Sequence, residues 1–254
     1  MGFADLHIHT SYSKDGTASV TDVLQRAKEV ELDVIAITDH DEIRGALEAQ
    51  NLASKYGVEV ISGIEITTAE GDLLALFVDK LVAPYLSLEE TVLRVGELGG
   101  ICIAPHPMDN GFKMHSLGSY PIMKALRNPD VAEVLVAIET YNATTLNKEN
   151  NRYADILANR LEIAKTGSSD AHILRTIGLG GTIFPGYSGQ DLLTAFRNRT
   201  TVPHVNEDWN AVKILGSWSI KYIEHSLSQF KANTLHGLSS FAWRETLKGV
   251  LLNE

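Results

Sequence analysis

Two histidines one residue apart, His7 and His9, stand in the apolar run Phe3 to Ile8. A run of this composition predicts a β-strand, and a strand sends alternate side chains to one face. His7 and His9 therefore point together, with Ile8 turned the other way. Two parallel imidazoles make half of a metal site. Residues of ligand type recur down the chain: Asp15, Asp39 and His40, Glu65, His106, Glu139, then Asp170 and His172. Five of the nine histidines belong to this set. One histidine beside a strand is more often a hydrogen-bonded structural residue; a whole series in the same setting is not explained that way. Mixed imidazole and carboxylate donors suit Mn2+, Fe2+ or Zn2+. The single cysteine, Cys102, lies in the apolar run Ile101 to Ala104. A lone cysteine excludes a thiolate cluster and an intrachain disulfide. There are too many donors for one ion, and carboxylates bridge, so two or three ions are expected.

These groups need elements to hold them. Short β-branched apolar runs alternate with amphipathic stretches. Strands are predicted at Phe3–His9, Asp33–Thr38, Val58–Ile66, Asp72–Val78, Gly100–Ala104, Glu133–Glu139, Ile163–Gly167 and Leu179–Phe184. The fourth could run antiparallel to the third. Helices are predicted from Ser19 or Thr21 to Glu31, over Glu42–Tyr56, from Ser87 or Leu88 to Leu98, and over Pro121–Arg127, Leu146–Arg160 and Gly189–Arg199. Met108–Tyr120 reads as a loop. Alternation of this kind indicates a parallel sheet covered by helices, in about seven strand–helix units. The ligand residues then sit at the C-terminal ends of the strands, the edge where active sites of such folds assemble. Asp39 is expected to support His40 or orient a ligand.

Beyond Asn206 the rhythm changes. Trp209, Val212, Leu215, Trp218, Tyr222 and Leu227 recur at helical spacing, and a second helix is predicted at Ser239–Leu252. The expected organisation is a barrel over 1–205 and a helical extension over 206–254. The extension would pack on the barrel or form a dimer contact, giving a homo-oligomer.

Composition sets the outer limits. The chain has 254 residues, 44% of them hydrophobic and 21% charged, an ordinary globular profile. No apolar run reaches the ~18 residues of a membrane span. With ligand residues so close to Met1, a removable leader is not expected, and a cytoplasmic location fits. The net charge of −10 argues against binding long duplex nucleic acid. It leaves room for a small phosphorylated substrate, since bound cations invert the local field.

The ordered set DLHIHTSYSKDG, ITDHD, SGIEI, APHP and SSDAH resembles the PHP (polymerase and histidinol phosphatase) family of metal-dependent phosphoesterases, over roughly residues 3–200. The resemblance implies a distorted (β/α)7, TIM-like barrel with metals at the strand C-termini. It implies that His7, His9, Glu65 and Asp170 hold one ion. Glu65 would bridge to a second, shared with His106 and Glu139, and Asp15, His40 and His172 would hold a third; the Glu-Thr-Tyr-Asn stretch at 139–142 could equally support the ligands from behind. Some relatives carry histidine where this chain has Asp15 and Glu139.

The chemistry expected is phosphoester hydrolysis by a metal-activated hydroxide, on a nucleotide-like or generic small phosphoester or a short oligonucleotide. Arg44, Arg175 and His115 are candidates to contact the substrate, and His115 to act as general acid. Lys14 and Lys113 lie on loops of the same rim. Histidinol phosphate ranks lower as a substrate because of Asp15. A catalytically silent, metal-binding regulatory module is the alternative from another class. Amide or lactone hydrolysis is a third reading. His204, His225 and His236 fall outside the motifs and are expected to be structural.

Overall fold

Serine caps and apolar stripes set the helices, and buried runs set the strands. Ser19 accepts from Asp22 N, Ser87 from Glu90 N, and Ser188 forms a capping box with Asp191. The computed structural model describes residues 1–109, 115–220 and 223. In chain order the elements are β1 (Gly2–Ile8), α1 (Val20–Glu29), β2 (Val34–Ile37), α2 (Arg44–Leu52), β3 (Glu59–Thr67), β4 (Asp72–Leu76), α3 (Leu88–Glu97) and β5 (Ile101–Ala104). They continue with α4 (Ser119–Ala125), α5 (Pro129–Val134), β6 (Leu135–Asn142), α6 (Glu149–Leu161), β7 (Ala164–Ser168), β8 (Gly180–Phe184), α7 (Gly189–Asn198) and β9 (Val202–Val205).

One sheet takes the order β7-β6-β5-β4-β3-β2-β1-β8-β9. It is parallel across β1–β2–β3 and across β5–β6–β7. The fourth strand runs antiparallel to the third, as the sequence allowed, and the parallel pattern also breaks at three further pairings. β4 runs antiparallel to both β3 and β5, β8 to β1, and β9 to β8. The sheet curls until its ends meet. Gly167 N donates to Thr182 Oγ1 at 3.1 Å, and that hydroxyl donates to Gly167 O at 2.8 Å. A Cβ on Gly167 would strike the Gly181 carbonyl, so this approach requires glycine. Just past β7, His9 N donates to Ala171 O at 2.9 Å and Ala171 N to His7 O at 3.2 Å. The result is a distorted TIM-like barrel.

Side chains alternate between two apolar clusters. Ala4, Leu6, Ala36, Ile61, Leu74, Ile103, Ala137 and Ala164 form one, with Leu192 and Phe196 of α7. Ile8, Ile35, Ile37, Val60, Ile64 and Leu73 join the other, with helix residues such as Leu24, Ala46 and Val92. The first lines the barrel interior, and α7, which touches β3, β6, β7 and β8, closes one end. Burying each large side chain there contributes about 1.5–3 kcal/mol. Followed by parity, the inward stripes end in polar groups: Ile61, Gly63, Glu65 on β3; Ala137, Glu139 on β6; Ala164, Thr166, Ser168 on β7. On β1 the register shifts between Asp5 and Ile8, which lets Leu6 and His7 both face inward while Ile8 faces the helices.

Two elements were not expected. α5 takes the residues that read as the start of the sixth strand, because Asn128 caps it at Asp130 N and Pro129 opens it. β9 carries Pro203, tolerated on an outer strand of the sheet. The chain parts into two units, Met1–Ile214 and Leu215–Glu254. In the first, Trp209 and Ile214 bury against Ala143 and Leu179. In the second, residues 215–220 and 223 are described and helical. Tyr222, Leu227, His225, His236, Trp243, the helix predicted at 239–252, and Lys113 lie outside the described residues. Among the described residues no helix is long and apolar enough to cross a membrane.

Candidate metal centre

Glu65 reaches inward from β3 and meets four imidazoles. Its Oε2 lies 3.2 Å from His7 Nε2, from His9 Nε2 and from His40 Nδ1, and its Oε1 lies 3.0 Å from His106 Nε2. Asp170 Oδ1 is 3.5 Å from His7 Nε2 and 3.4 Å from both His9 Nε2 and His172 Nδ1. Asp15 Oδ2 stands 3.5 Å from His40 Nε2 and 3.6 Å from His172 Nε2. His9 stacks between His172 and His40, with ring centroids 4.1 and 4.7 Å away. His7 and His9 do share a face, their centroids 5.1 Å apart.

Donor atoms gather in four groups that could hold an ion: His9, Asp15, His40 and His172; His7, Glu65 and His106; His7, His9 and Asp170; and His40, Glu65 and Asp72. His7, His9, His40 and Glu65 each belong to two groups, so the groups merge into one cluster. Every predicted ligand is in it except Glu139. Asp72 is in it and was not foreseen.

The imidazoles and carboxylates of the cluster shift one another's titration. Burial opposes a proton on His7, yet the carboxylates of Asp170, Glu65 and Glu139 hold its pKa well above the usual value. Burial likewise opposes protonation of His9 and His106, but Asp170 and Glu65 raise His9 to about 10, and Glu65 raises His106 to about 9. Burial takes His40 down to about 4. Glu65 and Asp170 stay well below the ordinary carboxylate range despite burial, held there by the imidazoles.

The donor set suits a metal ion. His9 Nδ1, His9 Nε2 and His40 Nδ1 are buried without a hydrogen bond of proper geometry. Buried polar atoms are ordinarily paired. Here His9 Nε2 and His40 Nδ1 both stand 3.2 Å from Glu65 Oε2 without pairing well, as donors arranged around a cation do.

A layer behind the donors fixes them. Glu139 Oε1 lies 3.1 Å from His7 Nδ1 and also accepts from Ser168 Oγ. Its Oε2 accepts from His106 N at 2.7 Å and Asn142 Nδ2 at 2.9 Å. Asn142 Nδ2 donates as well to Asp170 Oδ2, at 3.1 Å. Ser116 Oγ is 2.8 Å from His106 Nδ1. Asp39 does not hold His40; its carboxylate accepts from Thr10 N and Oγ1. His106 and Asp170 both have left-handed backbones, φ 28° and 50°. Such strain costs of order 1–3 kcal/mol per residue and persists where surroundings enforce it.

The substrate candidates separate. His115 is half-exposed beside the cluster, its Nδ1 3.3 Å from Asp72 Oδ1. Arg44 is exposed and its guanidinium is taken by Glu42, through Nε at 2.9 Å and Nη2 at 2.5 Å. Arg175 lies over the Trp209 ring, 5.4 Å from its centroid. Neither arginine meets the donor groups, because a nearer anion or ring claims each. His204 stacks edge-on to Phe3.

Sequence reasoning missed Asp72, Asn142, Ser168 and Ser116. Asp72 opens β4, and because β4 is antiparallel its first residue lies at the edge where parallel strands end. Asn142 sits three residues after Glu139 on the same strand.

The uncharacterized protein MJ1587 of Methanocaldococcus jannaschii is 39% identical over 150 residues, 55% of this chain and 81% of MJ1587. A 5'-3' exoribonuclease of Haemophilus influenzae is 44% identical over 64 residues, 25% of this chain and only 23% of the enzyme. A solved structure from Bifidobacterium adolescentis, provisionally described as a metal-dependent phosphoesterase, superposes with a TM-score of 0.56 at 16% identity, over 86% of this chain and 96% of that one. Residues 148–201 match the PHP-associated model. Residues 5–172, which carry all of these donors, match the PHP domain, and the chain belongs to the PHP family.

Proposed function

We propose that this chain is a metal-dependent phosphoesterase acting on a small phosphorylated substrate, nucleotide-like or generic, with two or three divalent ions of the Mn2+, Fe2+ or Zn2+ type. The observation that carries the reading is the convergence of four imidazoles on the one Glu65 carboxylate, in groups that share members. The proposed ligands are His7, His9, Asp15, His40, Glu65, His106, Asp170 and His172, with Asp72 added. Family membership and these groups support a metal-dependent hydrolase. The phosphoester is supported by the relatives, an exoribonuclease and a provisional phosphoesterase.

Bound ions of this kind acidify water and neutralise charge on phosphoryl oxygens. The chain's own groups set the direction of approach. Side-chain exposure falls from 26% at Asp15 and 15% at His40 to 1% at Glu65 and none at His7. Substrate therefore enters on the Asp15–His40–His172 side. His115, with Nδ1 against Asp72, keeps Nε2 for a proton to the leaving oxygen.

The test is phosphate release by metal-loaded protein from sugar phosphates, nucleoside bisphosphates, histidinol phosphate and short oligonucleotides. Turnover of at least one, abolished by a chelator and by His9→Ala, is expected. Protein that carries its ions yet releases phosphate from none of them defeats the reading.

A further inference from the structure

Glu139 stands at the cluster but faces the wrong atoms for a ligand. Both of its oxygens are already taken. Oε1 serves His7 Nδ1 and Ser168 Oγ, and Oε2 serves the His106 backbone and Asn142. A carboxylate has about four lone-pair sites, and all four are occupied. The nitrogen it meets is Nδ1 of His7, whereas the nitrogen turned to Glu65 and Asp170 is Nε2. Among the described residues no ion-holding group includes Glu139.

Asn142 completes the arrangement. It is fully buried, and its Nδ2 spans Glu139 Oε2 and Asp170 Oδ2. Its Oδ1 accepts from Thr144 N and Thr145 N, both at 3.0 Å, which fixes which end of the amide is the donor. Two further contacts of Glu139 and Asn142 fall on residues with left-handed backbones: Glu139 on His106 N, Asn142 on Asp170.

We propose that Glu139 and Asn142 are positioning residues rather than ligands. Glu139 accepts a hydrogen bond from the His7 Nδ1–H and so leaves Nε2 as the metal donor; Asn142 locks Asp170 to that same carboxylate. Three donors from separate strands and loops, His7, His106 and Asp170, are thereby held in one frame. An outer carboxylate on a ligating histidine fixes its tautomer and raises its basicity, and its loss typically weakens metal binding by about 10–100-fold. The inference rests on the metal-dependent reading above.

The test uses the full chain, stripped with a chelator and titrated with Zn2+ against a competing chelator, with circular dichroism as the check on folding. In Glu139→Gln and Asn142→Ala the number of zinc ions at saturation stays at the wild-type value, while affinity falls by about tenfold or more. The double variant is no weaker than Glu139→Gln, because the two act through one network. In zinc-loaded wild type, nitrogen-15 spectra of labelled histidine show a hydrogen-bonded Nδ1 proton on His7, and Glu139→Gln shifts it. Loss of a whole zinc equivalent in Glu139→Gln, or wild-type affinity in both variants, overturns the proposal. If Glu139→Gln does not fold, Asn142→Ala decides by the same affinity criterion. Wild-type protein that takes up no zinc overturns the metal-dependent reading and this one with it; zinc uptake with indifferent variants overturns this one alone.

Discussion

Asp39 grips Thr10 twice, Oδ1 accepting from Thr10 N at 2.6 Å and Oδ2 from Thr10 Oγ1 at 2.8 Å. Both residues are buried, and Thr10 directly follows His9. The end of β2 thus fixes the turn that carries His9 away from β1. Gly45 lies against this latch, where a Cβ would collide with Asp39 Oδ2 and crowd Thr10 Oγ1.

Gly45→Ala should therefore loosen the latch from the helix side. Overpacking a filled site typically costs about 1–3 kcal/mol. Asp39→Ala removes a charged acceptor from two buried donors, at about 1.5–3 kcal/mol. Urea midpoints should fall in both variants with unchanged slope. A Gly45→Ala protein as stable as wild type would show that helix α2 yields easily there.

Metal uptake should release protons. In the metal-free cluster His9 is raised to about 10 and His106 to about 9, after burial is overcome by Asp170 and Glu65, so both are charged at neutral pH. A ligand imidazole must be neutral. Apparent affinity should then drop about tenfold per pH unit of acidification for each proton displaced. Calorimetry in buffers of different ionisation heat measures the release directly; identical heats in all buffers would contradict it.

The same shifts predict how metal-free stability follows pH. Histidines raised in the folded state contribute stability that is fully present below their unfolded value of about 6.5. It is lost as pH rises through about 9 to 10 for His106 and His9. Glu65 and Asp170 are depressed, so their contribution is present above about 4 and lost on acidification. Thermal melts of chelated protein should show a plateau between these limits and fall on both sides.

Much of this was legible in the sequence for local reasons. Val34 to Ile37 is buried on both faces, so composition alone marked a strand, and Ser19 and Ser87 marked helix starts by capping chemistry. His7 and His9 were legible because period-two alternation survives at the strand's end, even with a bulge before it. What stayed hidden depends on direction or on distant partners. Asp72 has no local sign of function; it becomes a donor because β4 reverses and places its first residue beside Glu65 and His40. Asn142 reads as a strand-end polar residue until Asp170, 28 positions on, is brought to its amide. No strand was expected after Leu179–Phe184, yet β9, with Pro203 in it, forms at the sheet's edge. Arg44 looked free because Glu42, two residues before it, could not be assigned a side-chain direction.

Cys102 tests the outward packing of β5. Its thiol is fully buried, and burial pushes its pKa well above the ordinary thiol value. The thiolate is the reactive form, so the native protein should not react with a disulfide reagent such as dithionitrobenzoate over minutes. One thiol should appear on unfolding in urea. Rapid labelling of the native chain would place β5 in an opening unit less stable than the whole domain.

Asp72 offers the sharpest mutational test of the cluster's extent. It is buried at the start of β4, close enough to His40 and Glu65 for all three to share an ion, and it accepts from His115 as well. Burial, with the Glu65 charge beside it, raises its pKa to about 6 in the metal-free protein. A carboxylate held this far from its usual range is uncomfortable as an anion unless a cation faces it. Asp72→Asn keeps the size and removes the charge. It should leave the metal-free fold intact, or more stable above pH 6, since the folded state no longer has to ionise a buried acid. It should also weaken retention of one ion, seen as less metal per chain after dialysis. His115→Ala, which removes only the half-exposed partner, should retain full metal content. Equal metal content in the wild type and the Asp72→Asn variant would restrict the cluster to the donors at strand C-termini.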